Sequence, residues 1–127
     1  MFIRDAWYIA AWAHEVGEAP LARTILGEQL VLYRDRTGKA GALEDRCCHR
    51  GTPLRFGTVV EGGLQCGYHG MVFDCSGGCV SIPGQARIPP RAKVRSFPLV
   101  EKDEFLWIWM GDPEKADTAR IIDYPFH

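Results

Sequence analysis

The chain has 127 residues, with 15 basic and 16 acidic side chains and a formal net charge of −1. That balance gives no electrostatic basis for binding nucleic acid or an anionic membrane, and no run approaches the ~20 apolar residues of a membrane span. One domain with its own core is expected, and the odd number of cysteines, five, argues against a secreted disulfide scaffold and for a reducing cytoplasm.

The opening stretch, Met1 to Ala13, is apolar and aromatic but short and interrupted by Asp5, so it reads as folded structure and not as a signal peptide. Ala13 to Val16 offers about one helical turn. From Thr24 to Leu43 the pattern is strands and turns: Gln29 to Tyr33 is rich in β-branched and aromatic residues, Asp35-Arg36-Thr37-Gly38 is turn chemistry, and Ala40 to Leu43 resumes, which predicts a hairpin. Leu64-Gln65 and Met71-Val72-Phe73 flank a loop and predict a second hairpin, after which Asp74-Cys75-Ser76-Gly77-Gly78 turns the chain back. Ser96 to Val100 and Phe105 to Met110 read as a closing pair around Lys102-Asp103-Glu104. Short strands with frequent turns make the fold class all-β. Gly111-Asp112-Pro113 stops the last strand, so the expected organisation is a domain over 1–110. Residues 111–127 are then a linker or the start of a further domain.

Chemistry concentrates in one pattern. Cys47-x-His49 is followed by sixteen residues and then by Cys66-x-x-His69, so each short loop carries one thiol and one imidazole. Two such loops facing each other can place two sulfurs on one iron and two ring nitrogens on the other, the ligand distribution of a Rieske [2Fe-2S] cluster. A single zinc bound by the same four side chains is the alternative. Zinc fingers, however, keep their cysteines and histidines in separate pairs, whereas here each loop is mixed and rich in glycine (Gly51, Gly67, Gly70). Glycine allows the backbone to approach a cluster closely and to turn through positive φ, and Pro53 stiffens the first loop.

The remaining candidates carry less. His14 reads as a surface residue, and with His127 it supplies no facial triad for a mononuclear iron. Cys75 and Cys79 read as two half-buried thiols, with a redox pair as the other possibility. The tryptophans read as core and interface aromatics. Arg46, Arg50 and Arg55 occur with no acid between Arg46 and Val60, giving either an ion-paired face or a basic rim that docks an acidic donor or a neighbouring subunit.

Several segments together carry a resemblance: Ala6-Trp7-Tyr8-Ile9-Ala10, Gly27 to Tyr33, Cys47-Cys48-His49-Arg50-Gly51-Thr52-Pro53-Leu54, Cys66-Gly67-Tyr68-His69-Gly70, and Trp107-Ile108-Trp109-Met110-Gly111-Asp112-Pro113. Over almost its whole length the chain resembles the N-terminal Rieske domain of Rieske non-haem iron oxygenases, in the branch of the vanillate O-demethylases and dicamba monooxygenases. The resemblance implies an antiparallel β-sandwich with a small cluster-binding subdomain, and cluster ligands at Cys47, His49, Cys66 and His69. It also implies an electron relay toward a mononuclear Fe(II) in a catalytic domain that this chain does not contain. A flavin and ferredoxin-type reductase would be the electron donor, the parent oxygenase would be a homotrimer, and the substrate would be a small aromatic compound. A free-standing Rieske ferredoxin is the second reading. Two departures stand out: Cys48 occupies a position where proline is usual, and Met71 one where tryptophan or leucine is common. In respiratory Rieske sites a cysteine pair occurs where this chain has Thr52 and Tyr68, and a hydroxyl donor where it has Met71, so the resemblance implies a low reduction potential.

Overall fold

A computed structural model of the protein describes residues 5–17, 19–47, 52–67, 70–84, 87–89 and 92–117. Among them are eleven short strands in three antiparallel sheets. The first sheet contains β1 (Ala6–Trp12), β11 (Phe105–Met110) and β10 (Leu99–Lys102), in that order. The second runs β2 (Leu21–Ile25), β3 (Glu28–Arg34), β4 (Ala40–Glu44) and β9 (Ser96–Phe97), and the third runs β5 (Thr58–Val60), β6 (Gly63–Gln65), β7 (Val72–Phe73) and β8 (Cys79–Ser81). The all-β expectation holds. No helix among the described residues is long and apolar enough to cross a membrane.

The middle sheet is covered on both sides. In β3 the side chains alternate, so Leu30 and Leu32 join Ala42, Leu106, Ile108 and Met110 in the core shared with the first sheet. Val31 and Tyr33 join Leu43, Leu54, Leu64 and Phe73 in the core shared with the third. Leu30, Val31, Leu32 and Tyr33 are therefore all 0% exposed, which is why that run is apolar without a break. The first two sheets form the sandwich, and the third is the small subdomain packed on its far face.

Turn chemistry explains the hairpins. Leu26 and Gly27 both have positive φ, as do Asp103 and Glu104, and each pair closes a two-residue turn of the kind that matches strand twist. Between β3 and β4, the Asp35 carboxylate accepts from the N–H groups of Thr37 (2.9 Å) and Lys39 (3.0 Å). The Thr37 hydroxyl, with these two N–H groups, holds the Asp35 carboxyl below its ordinary range.

Two elements differ from expectation. Ser96 to Val100 is not one strand: β9 pairs with β4 and β10 with β11. Pro98 lies between them, and lacking an N–H it cannot carry the ladder across, so the chain changes sheets there. Lys102 belongs to β10, leaving only Asp103 and Glu104 in the turn. The predicted helical turn appears as a 3-10 turn at Ala13–Glu15, and two more, Leu54–Phe56 and Pro113–Lys115, were not anticipated.

The outer face of the first sheet is aromatic. Trp7 lies opposite Trp109, Ile9 opposite Trp107 and Trp12 opposite Phe105. A bulge at Ala10 keeps these in phase, since Ala10 and Ala11 both turn inward and Trp12 returns to the outer face. The rings of Trp12 and Phe105 stack at 4.3 Å and those of Trp7 and Trp109 meet edge-on at 5.4 Å. The tryptophans thus serve as packing aromatics. Beyond β11 the chain continues against β1: the Trp7 indole N–H donates to the Asp117 carbonyl (2.8 Å), and Asp112 N–H donates to the Asp5 carboxylate (2.7 Å).

Tyr33 links the second and third sheets by donating its hydroxyl to the Phe73 carbonyl at 3.1 Å. Burial, reinforced by the neighbouring Cys75 thiol, pushes the Tyr33 hydroxyl far above its ordinary range, and burial likewise raises Cys75. Both groups stay neutral in the fold while the unfolded chain ionises above about pH 8.5 for Cys and 10 for Tyr, so stability is present below that window and falls as pH rises through it. Tyr33→Phe is expected to lose about 1 kcal/mol at neutral pH by urea unfolding, and to show a shallower alkaline decline than the parent chain.

Candidate metal centre

Cys47 and Cys66 each close a backbone ring of the same length. Cys47 N–H donates to the Thr52 carbonyl and Cys66 N–H to the Met71 carbonyl, both at 2.7 Å and both reaching five residues ahead. The second loop is tightened by Gly70 N–H to the Cys66 carbonyl (3.1 Å) and by the Gln65 side-chain amide to the Gly70 carbonyl (3.2 Å). It joins β6 to β7, as the flanking Leu64-Gln65 and Met71-Val72-Phe73 predicted.

Glycines press the loops together. A Cβ at Gly57 would stand 2.1 Å from the Gln65 carbonyl oxygen, and one at Gly67 would stand 3.1 Å from that of Phe56. Backbone contact this close places the segment after the first loop directly on the second. Gly70 has φ +75°, and a Cβ there would lie 3.0 Å from Pro83 Cγ, so a third segment leans on the same loop. Met71 completes the link, its thioether sulfur 3.8 Å from the Cys47 thiol, which donates to it.

Both thiols are 2% exposed and belong to the apolar cluster of Leu54, Leu64 and Phe73. Neither they nor Cys75 and Cys79 are joined in a disulfide. Two buried cysteines in one apolar cluster, with Cys47 against the Met71 end of the second loop, fit a soft metal or an iron–sulfur group, which takes thiolates and is shielded by apolar walls. His49 and His69 lie outside the described residues, as do Cys48, Arg50, Gly51, Tyr68 and His127. Among the described residues alone, no group of three or more histidine, cysteine or acidic side chains converges.

The family comparison decides between iron–sulfur and zinc. The Rieske [2Fe-2S] domain matches residues 6–98. The chain belongs to that family. The toluene-4-sulfonate monooxygenase system iron–sulfur subunit of Comamonas testosteroni is 49% identical over 128 aligned positions, covering all of this chain and 37% of that protein. The dicamba O-demethylase oxygenase component of Stenotrophomonas maltophilia is 51% identical over 97% of this chain and 37% of its own length. A crystal structure of dicamba monooxygenase with non-haem iron and dicamba superposes with a TM-score of 0.93 at 50% identity, covering 97% of this chain and 38% of that one. This Rieske domain thus spans about a third of the length of the curated relatives it matches.

Other predicted candidates lie apart from the two loops. His14 is exposed and stacks on Trp12 at 5.8 Å. Cys75 is half-buried, its thiol facing Asp35 (3.9 Å) and the Lys39 carbonyl (3.8 Å), whereas the Cys79 thiol faces the Ser81 carbonyl (3.4 Å). For the arginines, the ion-paired alternative is the one Arg55 follows. Arg46 is exposed, but Arg55 is ion-paired, its Nε 2.5 Å from the buried carboxylate of Asp45. Asp45 stands one residue before the acid-free window, so the acid of the ion-paired reading comes from just outside it.

The loop contact yields a test. Gly57→Ala must push a methyl group into the Gln65 carbonyl, and a cost of ~2 kcal/mol in unfolding free energy with less than half the parental iron content is expected. Gly17→Ala, where nothing lies within 4 Å, should change neither quantity.

Proposed function

We propose that Cys47, His49, Cys66 and His69 hold the [2Fe-2S] cluster of this Rieske domain, the two sulfurs on one iron and the two imidazoles on the other. The observation that carries the assignment is the matched pair of loops, each closed by a cysteine N–H five residues back from its acceptor, with both thiols buried in one apolar cluster. When bound, the cluster supplies one-electron transfer. The chain's own part is to exclude water with Leu54, Leu64 and Phe73, to fix the two thiols through their backbone bonds, and to keep the loops apposed through Gly57 and Gly67.

In this reading residues 1–110 are the Rieske domain and 111–127 lead toward a catalytic domain. The parent is the oxygenase component of a system that hydroxylates or demethylates a small aromatic compound. Support comes from the relatives, a monooxygenase system iron–sulfur subunit and an O-demethylase oxygenase component, each about three times as long. Electrons come from a flavin and ferredoxin-type reductase, pass through the cluster and reach a mononuclear Fe(II) held outside this chain. The parent assembles as a homotrimer in the cytoplasm, a compartment consistent with cysteines left as thiols.

Purified chain is expected to be red-brown, with two irons and two sulfides per polypeptide. His49→Ala and His69→Ala should each abolish the Rieske electron-paramagnetic signal, and a surviving signal removes that histidine from the ligand set. Reduced chain supplied with an aromatic substrate and oxygen should form no product. Protein-film voltammetry should place the midpoint near the low end of the Rieske range, about −150 mV, because Met71 offers no hydroxyl to the cluster. A midpoint above about +100 mV would overturn the hydrogen-bond argument and the oxygenase reading beside it.

A further inference from the structure

Asp45 has a side chain that is 0% exposed, two residues before Cys47, and its carboxylate does two things. It accepts the backbone N–H of Arg55 at 2.8 Å and the Nε–H of the same arginine at 2.5 Å. These bonds close a ring around the first loop, outside the smaller ring made by Cys47 N–H and the Thr52 carbonyl. The base of the loop is held as well, because Asp45 N–H donates to the Gln29 carbonyl at 3.0 Å. A purely mechanical tie would not require an ion pair, since a neutral side-chain oxygen can also accept the backbone N–H, although less strongly than a carboxylate. The pair instead puts a buried negative charge beside a proposed ligand, with the cation that balances it 34% exposed.

We propose that Asp45 and Arg55 are a positioning pair that sets how readily the cluster held at Cys47 accepts an electron, a proposal that rests on the ligand assignment above. Reduction takes one electron from the reductase and adds one negative charge beside the loop. The Asp45 carboxylate opposes that charge and the Arg55 guanidinium favours it. Two residues of chain keep the Cα atoms of Asp45 and Cys47 within ~7 Å, so the charges are near enough to act. At about 10 Å and an effective dielectric near 20, one unit charge changes the reduction equilibrium about tenfold, which is ~59 mV for one electron. In the parent chain the two effects offset each other.

The experiment measures iron and sulfide per chain, the electron-paramagnetic signal and the midpoint potential for four variants. Asp45→Asn keeps an oxygen acceptor and removes the charge, so its midpoint should rise about tenfold in equilibrium terms. Arg55→Met leaves the carboxylate unbalanced and should lower it by a similar factor. Arg55→Lys keeps the cation and should stay near the parent, and the double variant Asp45→Asn with Arg55→Met should return close to it. A merely structural tie predicts lowered stability and cluster retention in all variants without opposite shifts. Midpoints that move the same way, or not at all, with two irons still bound overturn the proposal. Should Asp45→Asn fail to load iron, the arginine arm decides alone: lowered in Met and unchanged in Lys supports the pair, and any other pattern defeats it. A parent chain without iron instead defeats the ligand assignment, and the proposal with it.

Discussion

Everything in this fold depends on burying β3 from both sides. A strand with one wet face can belong to a single sandwich, but Leu30-Val31-Leu32-Tyr33 has no wet face, so two separate cores must form on it. One core closes the sandwich. The other forces the third sheet, and with it both cysteine loops, onto a fixed surface. The strand is also the point at which damage spreads, since loosening either core exposes apolar area belonging to the same few residues.

On that surface the loops are located by contacts that tolerate little change. Gly57 lets a carbonyl oxygen come where any side chain would collide, Gly67 leaves room for a second close approach, and one buried carboxylate ties the entrance of the first loop to its exit. These devices differ in kind. The glycines act through exclusion of volume and set only distance, whereas the Asp45–Arg55 pair also carries charge and so bears on the chemistry of what the loops hold. The sheets beneath fix where the loops stand, and the loops themselves fix how the thiols are presented.

Much of this was legible in the residues, and the exceptions have physical causes. The hairpin of β3 and β4 could be read because Asp35 to Gly38 is turn chemistry between two apolar runs, and that of β6 and β7 because its flanks are apolar on both sides of a polar loop. Ser96 to Val100 misled because alternation continues across Pro98 while hydrogen bonding does not. β1 resisted a period-two reading because its bulge puts Ala10 and Ala11 on the same side. At the site, ligand types and spacing pointed to the two loops, since mixed cysteine and histidine pairs are chemically unusual. Asp45 was invisible by the same approach, because its partner is ten residues along the chain and only the folded loop brings them together.

The first and last strands meet at their outer ends. Ala6, which begins β1, lies opposite Met110, which ends β11, and Asp5 N–H donates to the Met110 carbonyl at 2.5 Å. A tension applied through the two ends of this domain would therefore peel β1 from β11 one rung at a time, like a zipper, rather than shear all the rungs together. The first rungs to load are those beside Trp7 and Trp109. Mechanical weakness is thus concentrated at the aromatic seam, far along the chain from Cys47 and Cys66. The same meeting of the ends allows the domain to be grafted into a tight loop of another protein without stretching either strand.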